Sequence, residues 1–224
     1  MLKHIRFNKR IIKQIFSLGA PIALQDMLVN ISFLVLLGII NHIGLTAAAG
    51  GGVSARICGF IMLVPASFMH AMAAFVAQNV GAMEYARAQK ALVYGISVSS
   101  CVGVFMFFLA FFHGDLLAGL FTEEEAVVFA AADYLRAYAI DCLMTCFLFC
   151  FIGYFNGMGM TRFVMMQGLI GSFGVRIPVS LYVSQQDWAT LFHIGLATPC
   201  STAVQIVLCL LAFHWAKRKN LEKT

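Results

Sequence analysis

Two aspartates stand where an acid is expensive. Asp141 and Asp26 each lie near the middle of a long apolar run, and an ionisable side chain at that depth in a membrane span costs on the order of 2.5 to 3.5 kcal/mol on translocon-based scales. Four residues after each acid comes a neutral side chain that carries oxygen, Thr145 after Asp141 and Asn30 after Asp26. That spacing puts both members of a pair on one face of a helix. Carboxylate, amide and hydroxyl oxygens together suit a hard cation such as sodium. A carboxyl group withdrawn from water suits a proton instead, and the spacing leaves the two open. Asp141 can also be read as a structural polar anchor inside a bundle. Met27, Tyr138 and Met144 adjoin the acids and could line a pliable apolar cavity, because methionine adapts to irregular partners and aromatic faces attract cations.

The other reactive residues point to structure. Arg56 and Arg136 lie toward the ends of their spans, and Arg176 lies a few residues inside its own. All three are expected to extend toward the interface, with Arg136 paired to Asp133 at three-residue spacing. Cys142, Cys146 and Cys150 recur every four residues, beside a stripe of Asp141, Thr145, Gly153 and Gly157. Small side chains at that period mark a surface on which another helix packs closely, in preference to a metal stripe. The seven cysteines form no CxxC pair and the six histidines no HExxH, so neither a disulfide framework, a zinc site nor an intramembrane metalloprotease is indicated. No nucleophile, metal cluster or phosphate loop stands out. The expectation is a protein that is not an enzyme and has no cofactor, apart from a Na+ or H+ that the acids could hold.

The elements that carry these residues are membrane spans. Of 224 residues, 61% are hydrophobic and 11% charged, against roughly 25% charged in soluble domains. A span takes about 20 apolar residues, which allows an all-α, polytopic bundle of six transmembrane helices. The runs are about Ile15 to Ile43, Arg56 to Gln78, Ala91 to His113, Val127 to Phe155, Phe163 to Val183 and Ala189 to Ala216. A glycine-rich turn is expected from Gly44 to Val53, and a capping box from Thr122 to Glu125. The chain therefore divides into a basic tail (1–14), a six-helix lobe (15–216) and a second basic tail (217–224).

Orientation follows from lysine and arginine, which are retained in cytoplasmic loops. Twelve of the fifteen basic residues fall on one side: Lys3, Arg6, Lys9, Arg10 and Lys13 in the first tail, Arg87, Lys90 and Arg162 in loops, and Lys217, Arg218, Lys219 and Lys223 in the last. The opposite loops hold Asp115, Glu123, Glu124, Glu125 and Asp187 instead. Both termini are expected in the cytoplasm of a multi-pass cell-membrane protein. The net charge of +5 then reflects topology and contact with anionic membrane lipids, with no nucleic-acid partner required.

Four stretches taken together resemble the C-terminal half of the multidrug and toxic compound extrusion (MATE) family. They are Leu18-Gly19-Ala20-Pro21, Gln78-Asn79-Val80-Gly81-Ala82 followed by Arg87-Ala88, Asn156-Gly157-Met158-Gly159-Met160-Thr161, and Arg176-Ile177-Pro178. The resemblance implies one lobe of a two-lobe secondary transporter, an antiporter that extrudes small cationic or amphipathic compounds in exchange for sodium ions or protons. A carboxylate on the fourth span serves the coupling cation in some members, and Asp141 lies about one helical turn from that position. The partner implied is an N-terminal lobe, fused or separate, or a second copy in a homodimer; the basic first tail suits a linker from a fused lobe. Other readings are a flippase for lipid-linked saccharides from a related exporter family, or a non-transporting half-gene product or membrane scaffold. The charge distribution carries its own test. A reporter enzyme fused after Thr224 should be active only on the cytoplasmic side, and activity confined to the outside would overturn the topology.

Overall fold

In a computed structural model of the chain, residues 9–221 are described, with side chains through Ala216. Lys3, Arg6 and Lys223 of the expected tails lie outside the described residues, and Lys217, Arg218 and Lys219 are described in their backbone alone. Six helical stretches are long and apolar enough to cross a membrane. They are built from α1 (Lys9–Asn41), α2 (Leu45–Gly81), α3 (Tyr85–Phe112), a short α4 (Gly114–Gly119), α5 (Glu125–Gly157), a fifth span made of α6 (Thr161–Leu169), a π-helical stretch (Ile170–Arg176) and α7 (Ile177–Ser184), and a sixth made of α8 (Leu191–Gly195) and α9 (Ala197–Leu221). In hydrocarbon the backbone has no water to bond, so a run of apolar residues satisfies its N–H and C=O groups within a helix.

The hub is α5. Two-thirds of its apolar window is buried (67%), whereas the other spans bury between 17% and 39% of theirs. It packs against α2, α3, α9, α8 and α4, while α1 leans chiefly on α6 and touches α2 and α7 less. Glycines let the neighbours come close. A Cβ on Gly157 would lie 2.7 Å from the Ala73 carbonyl oxygen and from Val76 Cβ on α2, and one on Gly153 would strike the Met69 carbonyl. The cysteine stripe turns toward α3, where Cys146 Sγ fills the space beside Gly103 and Ser99 Oγ donates to the Cys146 carbonyl oxygen at 3.0 Å.

Several local expectations are corrected. Helix α1 begins at Lys9, six residues before the expected start of the span at Ile15, and the last helix continues to Leu221. The glycine-rich stretch from Gly44 to Val53 is a turn only at its start. Gly50 and Gly51 are helical and buried, and a Cβ at Gly50 would meet Ala130 Cβ at 2.7 Å, so this stretch serves a close α2–α5 contact. At the turn into α3 the left-handed residue is Met83, with φ of 61°. Gly159, with φ of 76°, does fill that role in the turn from α5 to α6, where glycine has no steric cost.

The capping box at Thr122 does not form. Helix α5 starts at Glu125, so that glutamate is one residue into the helix instead of three, and Thr122 only accepts from the Glu124 amide at 3.3 Å. A capping box occurs instead at Thr190, whose partner in the third position is His193. Asp133 caps the same turn from α5, accepting from the Phe192 amide at 3.0 Å. That bond gives Asp133 a partner other than Arg136, and among the described residues the two form no ion pair.

The close α2–α5 contact supplies a test. Gly157→Val should lower the thermal stability of the purified protein, at a cost of about 1–3 kcal/mol for overpacking. Gly52→Ala, where no atom lies within 4 Å of the added methyl, should leave melting unchanged or slightly raised.

Candidate functional site

Helix α9 carries its polar residues on the inside. Thr198, Ser201, Thr202 and Gln205 follow helical spacing and are all buried, the reverse of a soluble amphipathic helix. Opposite them, α5 presents Asp141, which is 1% exposed. Thr202 donates to Asp141 Oδ1 at 2.6 Å and Thr145 donates to Oδ2 at 3.0 Å. The threonine after Asp141 on α5 is thus brought to the carboxylate by its four-residue spacing, and the one on α9 by packing. Thr202 also reaches the Thr198 carbonyl oxygen, at 3.1 Å. Nearby, Ser201 donates to the Gly171 carbonyl at 2.7 Å and accepts from Gln205 at 3.1 Å.

The counter-charge comes from the fifth span. Arg176 is 5% exposed, so it does not extend to the interface as expected. The π-helical stretch turns it inward, where it donates to Ser32 Oγ of α1 at 2.9 Å and lies over the Phe33 ring at 4.1 Å. Its guanidinium is within electrostatic reach of Asp141, Tyr134 and Tyr138, but among the described residues it makes no direct ion pair with the carboxylate. A buried acid left alone would cost several kcal/mol. Here two hydroxyls and a distant cation share the compensation. Arg56 and Arg136, by contrast, are exposed, each eleven residues past the start of its helix and so deeper than the expected span boundaries place them.

A cavity of about 420 Å³ opens between α1 and α2, closed at the back by Tyr134 and Tyr138 of α5. Its walls are mainly Leu34, Leu36, Leu37, Ile40 and Met62, with Asn30 as one of the few polar groups. Tyr138 therefore lines it. Met27 and Met144 do not: Met27 is 53% exposed on α1, and Met144 is half-buried on α5 away from the lining. Phe33 lines the cavity while Arg176 sits over its ring.

The second acid is elsewhere. Asp26 lies on the exposed face of α1, in electrostatic contact with His70 of α2, and does not join Asp141. Asn30 is not a ligand to Asp26 either, because its amide donates to the Asp26 backbone carbonyl at 2.7 Å. Of the four oxygen-bearing residues singled out in the sequence, Asp141 and Thr145 meet, and Asp26 and Asn30 form a separate patch. Thr202 and Arg176 complete the buried cluster. The inward polar period on α9 is visible in the sequence and points to Thr202, whereas the π-helical stretch that turns Arg176 inward leaves no comparable mark.

A bundle of six membrane-spanning helices with a carboxylate sealed inside it defines a polytopic membrane protein, built as a helical lobe. The MatE family model matches residues 21–182, and the chain belongs to that family, whose members are transporters rather than enzymes. It is 28% identical over 217 residues to the multidrug export protein MepA of Staphylococcus aureus strain N315, covering 94% of this chain and 47% of MepA. It is 21% identical over 219 residues to the probable multidrug resistance protein YoeA of Bacillus subtilis, covering 97% and 47%. The chain thus spans about half the length of the curated relatives it matches. A crystal structure of MATE in complex with MaL6 superposes on all of this chain and 50% of its own, with a TM-score of 0.86 at 16% identity, which establishes the fold of one lobe.

The hydroxyl cradle gives a specific expectation. Thr202→Val keeps the side-chain shape and leaves Asp141 Oδ1 without its donor, so stability should fall by about 1–3 kcal/mol. Thr202→Ser retains the hydroxyl and should recover most of that loss in a thermal melt. Equal melting of the valine and serine variants would show that the bond contributes nothing.

Proposed function

We propose that this chain is one lobe of a secondary active exporter that extrudes cationic or amphipathic compounds in exchange for sodium ions or protons, with Asp141 as the coupling group. The observation that carries the reading is the enclosed carboxylate with a threonine hydroxyl on each oxygen. A hydroxyl is both donor and acceptor. Turned one way it donates to the carboxylate. Turned the other, its oxygen faces a sodium ion bound there, or accepts from a protonated Asp141. Both coupling ions can use the same three side chains.

The 420 Å³ cavity between α1 and α2 is within the size range of small-molecule sites and would take the apolar part of a substrate. The face of α1 and α2 that bears Asp26, Met27, Asn30 and His70 is exposed in the isolated lobe. Ionisable groups are costly against lipid, so this face suits a water-filled cleft against a second lobe, where Asp26 could attract a cation. Transport follows if the two lobes rock about that cleft and a cation at Asp141 favours the state that releases the substrate. The relatives' names, multidrug export and multidrug resistance, support an exporter over a lipid-linked saccharide flippase.

The test is reconstitution in proteoliposomes with a cationic dye. The chain paired with a second six-helix lobe should drive dye against an imposed sodium or proton gradient, and a monomer should not. Asp141→Asn should abolish coupled efflux with membrane insertion intact. Wild-type efflux with unchanged sodium or pH dependence in that variant would reduce Asp141 to a structural anchor, and ion-driven transport by a strict monomer would overturn the two-lobe reading.

A further inference from the structure

Seven buried side-chain atoms have no hydrogen-bond partner among the described residues: Tyr138 OH, Asn156 Oδ1, both amide atoms of Gln167, Ser172 Oγ, Arg176 Nε and Thr198 Oγ1. Buried polar groups are nearly always bonded, to protein or to ordered water. One orphan is an accident of side-chain placement. Seven on three neighbouring elements form a pattern. All belong to α5, the fifth span or α9, and none to α2, α3 or α4.

Their order along the bundle is continuous. Asn156 is at the end of α5, beside the turn to α6. Gln167 lies six residues beyond the start of α6 at Thr161, roughly 9 Å in at helical rise, and is 1% exposed. Gly171 lies four residues after Gln167 and lacks a side chain where Gln205 of α9 presses against the backbone. Ser172 follows, also 1% exposed, and one further turn leads to Arg176. Thr198 is one turn from Thr202, which holds Asp141, and Tyr134 points toward Thr198 without closing a bond of ordinary geometry. Tyr138 is three residues before Asp141. The series runs from the α5–α6 turn to the carboxylate and one turn past it, because Tyr138 on α5 and Thr198 at the start of α9 lie on its far side. It follows a polar seam that also contains Gln25, Ser201 and Gln205, all buried.

We propose that these groups line a file of bound water inside the lobe, which connects Asp141 to the aqueous side on which α5 ends and α6 begins. Three features fit water better than any bulkier ligand. The unpartnered atoms include donors, acceptors and hydroxyls that are both, and a water molecule can serve each kind. Asp141 and Arg176 feel each other's charge yet form no ion pair among the described residues, which leaves the link between them free to be made through water. The seam lies apart from the apolar cavity, to whose wall only Tyr138 contributes among the unpartnered residues. The file rests on the coupling role of Asp141 only for its purpose; its existence is a separate matter.

Hydroxyl-radical footprinting of the whole chain in lipid nanodiscs tests it, because radicals made from bound water oxidise the side chain beside them. Two tyrosines serve as probe and reference. Tyr138 is 1% exposed and lies in the seam, and Tyr154 is 5% exposed and packs among Phe155 and Phe213. Tyr138 should be oxidised roughly tenfold faster than Tyr154 despite its deeper burial, if water is held beside it. The double variant Ser172→Ala, Thr198→Val removes two unpartnered hydroxyls that do not line the cavity, and should cut Tyr138 oxidation several-fold. Equal oxidation of the two tyrosines in the unsubstituted chain would overturn the file. So would a Tyr138 rate that the double variant leaves unchanged, since the oxidant would then enter through the cavity. If Tyr138 is oxidised as expected while Asp141→Asn leaves efflux intact, the water file stands and the coupling assignment falls; the opposite pair of results sinks the file and spares the assignment.

Discussion

The enclosure of α5 governs the rest of this structure. A helix surrounded by others has neither water nor headgroups to receive a charge, so whatever polarity it carries must be matched by its neighbours. Asp141 is the group that imposes the demand. Thr145 meets part of it from the same helix, but the second oxygen needs a donor from across the interface, and Thr202 supplies it. Helix α9 can offer that threonine only with its polar side facing inward. The fifth span in turn brings Arg176 inward, where α1 receives it through Ser32 and Phe33. One buried carboxylate thereby fixes the facing of three further spans.

The lobe also keeps two environments apart. Between α1 and α2 the cavity is apolar, and between α5, the fifth span and α9 the seam is polar. Two aromatic residues form the partition. Phe33 lines the cavity beneath the guanidinium of Arg176, and Tyr138 lines it three residues from Asp141. A ligand that displaced either ring would change the surroundings of a buried charge without touching it. Packed interfaces of this kind respond by switching between arrangements rather than by graded deformation.

Much of this was legible in the sequence because hydrocarbon is a demanding solvent. Six apolar runs and their charged flanks define the spans, and the four-residue spacing of Asp141 and Thr145 gives a real contact. The failures share a cause. Gly44 to Val53 reads as a turn because glycine is flexible, yet Gly50 and Gly51 are helical where α2 meets its neighbours. Asp133 and Arg136 have the spacing of an ion pair, but the Phe192 amide takes the carboxylate. Asp26 and Asn30 share a helical face, and the asparagine instead bonds its own backbone. Periodicity shows which residues can meet along one helix. It does not show which competitor arrives from another, and Arg176 was misplaced for want of that knowledge.

The π-helical stretch in the fifth span has a consequence for how such chains are compared. A π-helical turn is what a helix adopts when it accommodates one residue more than its usual hydrogen-bond count. Each residue advances an α-helix by about 100° and a wider π-turn by less, so removing one position between Ile170 and Arg176 would let an unbroken α-helix form with Arg176 still on the face that meets Ser32 and Phe33. Two relatives that differ by that one residue could share a fold and the same inward faces while their numbering shifts by one across the change. An alignment that confines its gaps to loops would pair the wrong residues along half of this span. Correspondences drawn through the fifth span therefore need the helical phase checked on each side of Ile170–Arg176, because sequence position and angular position part company there.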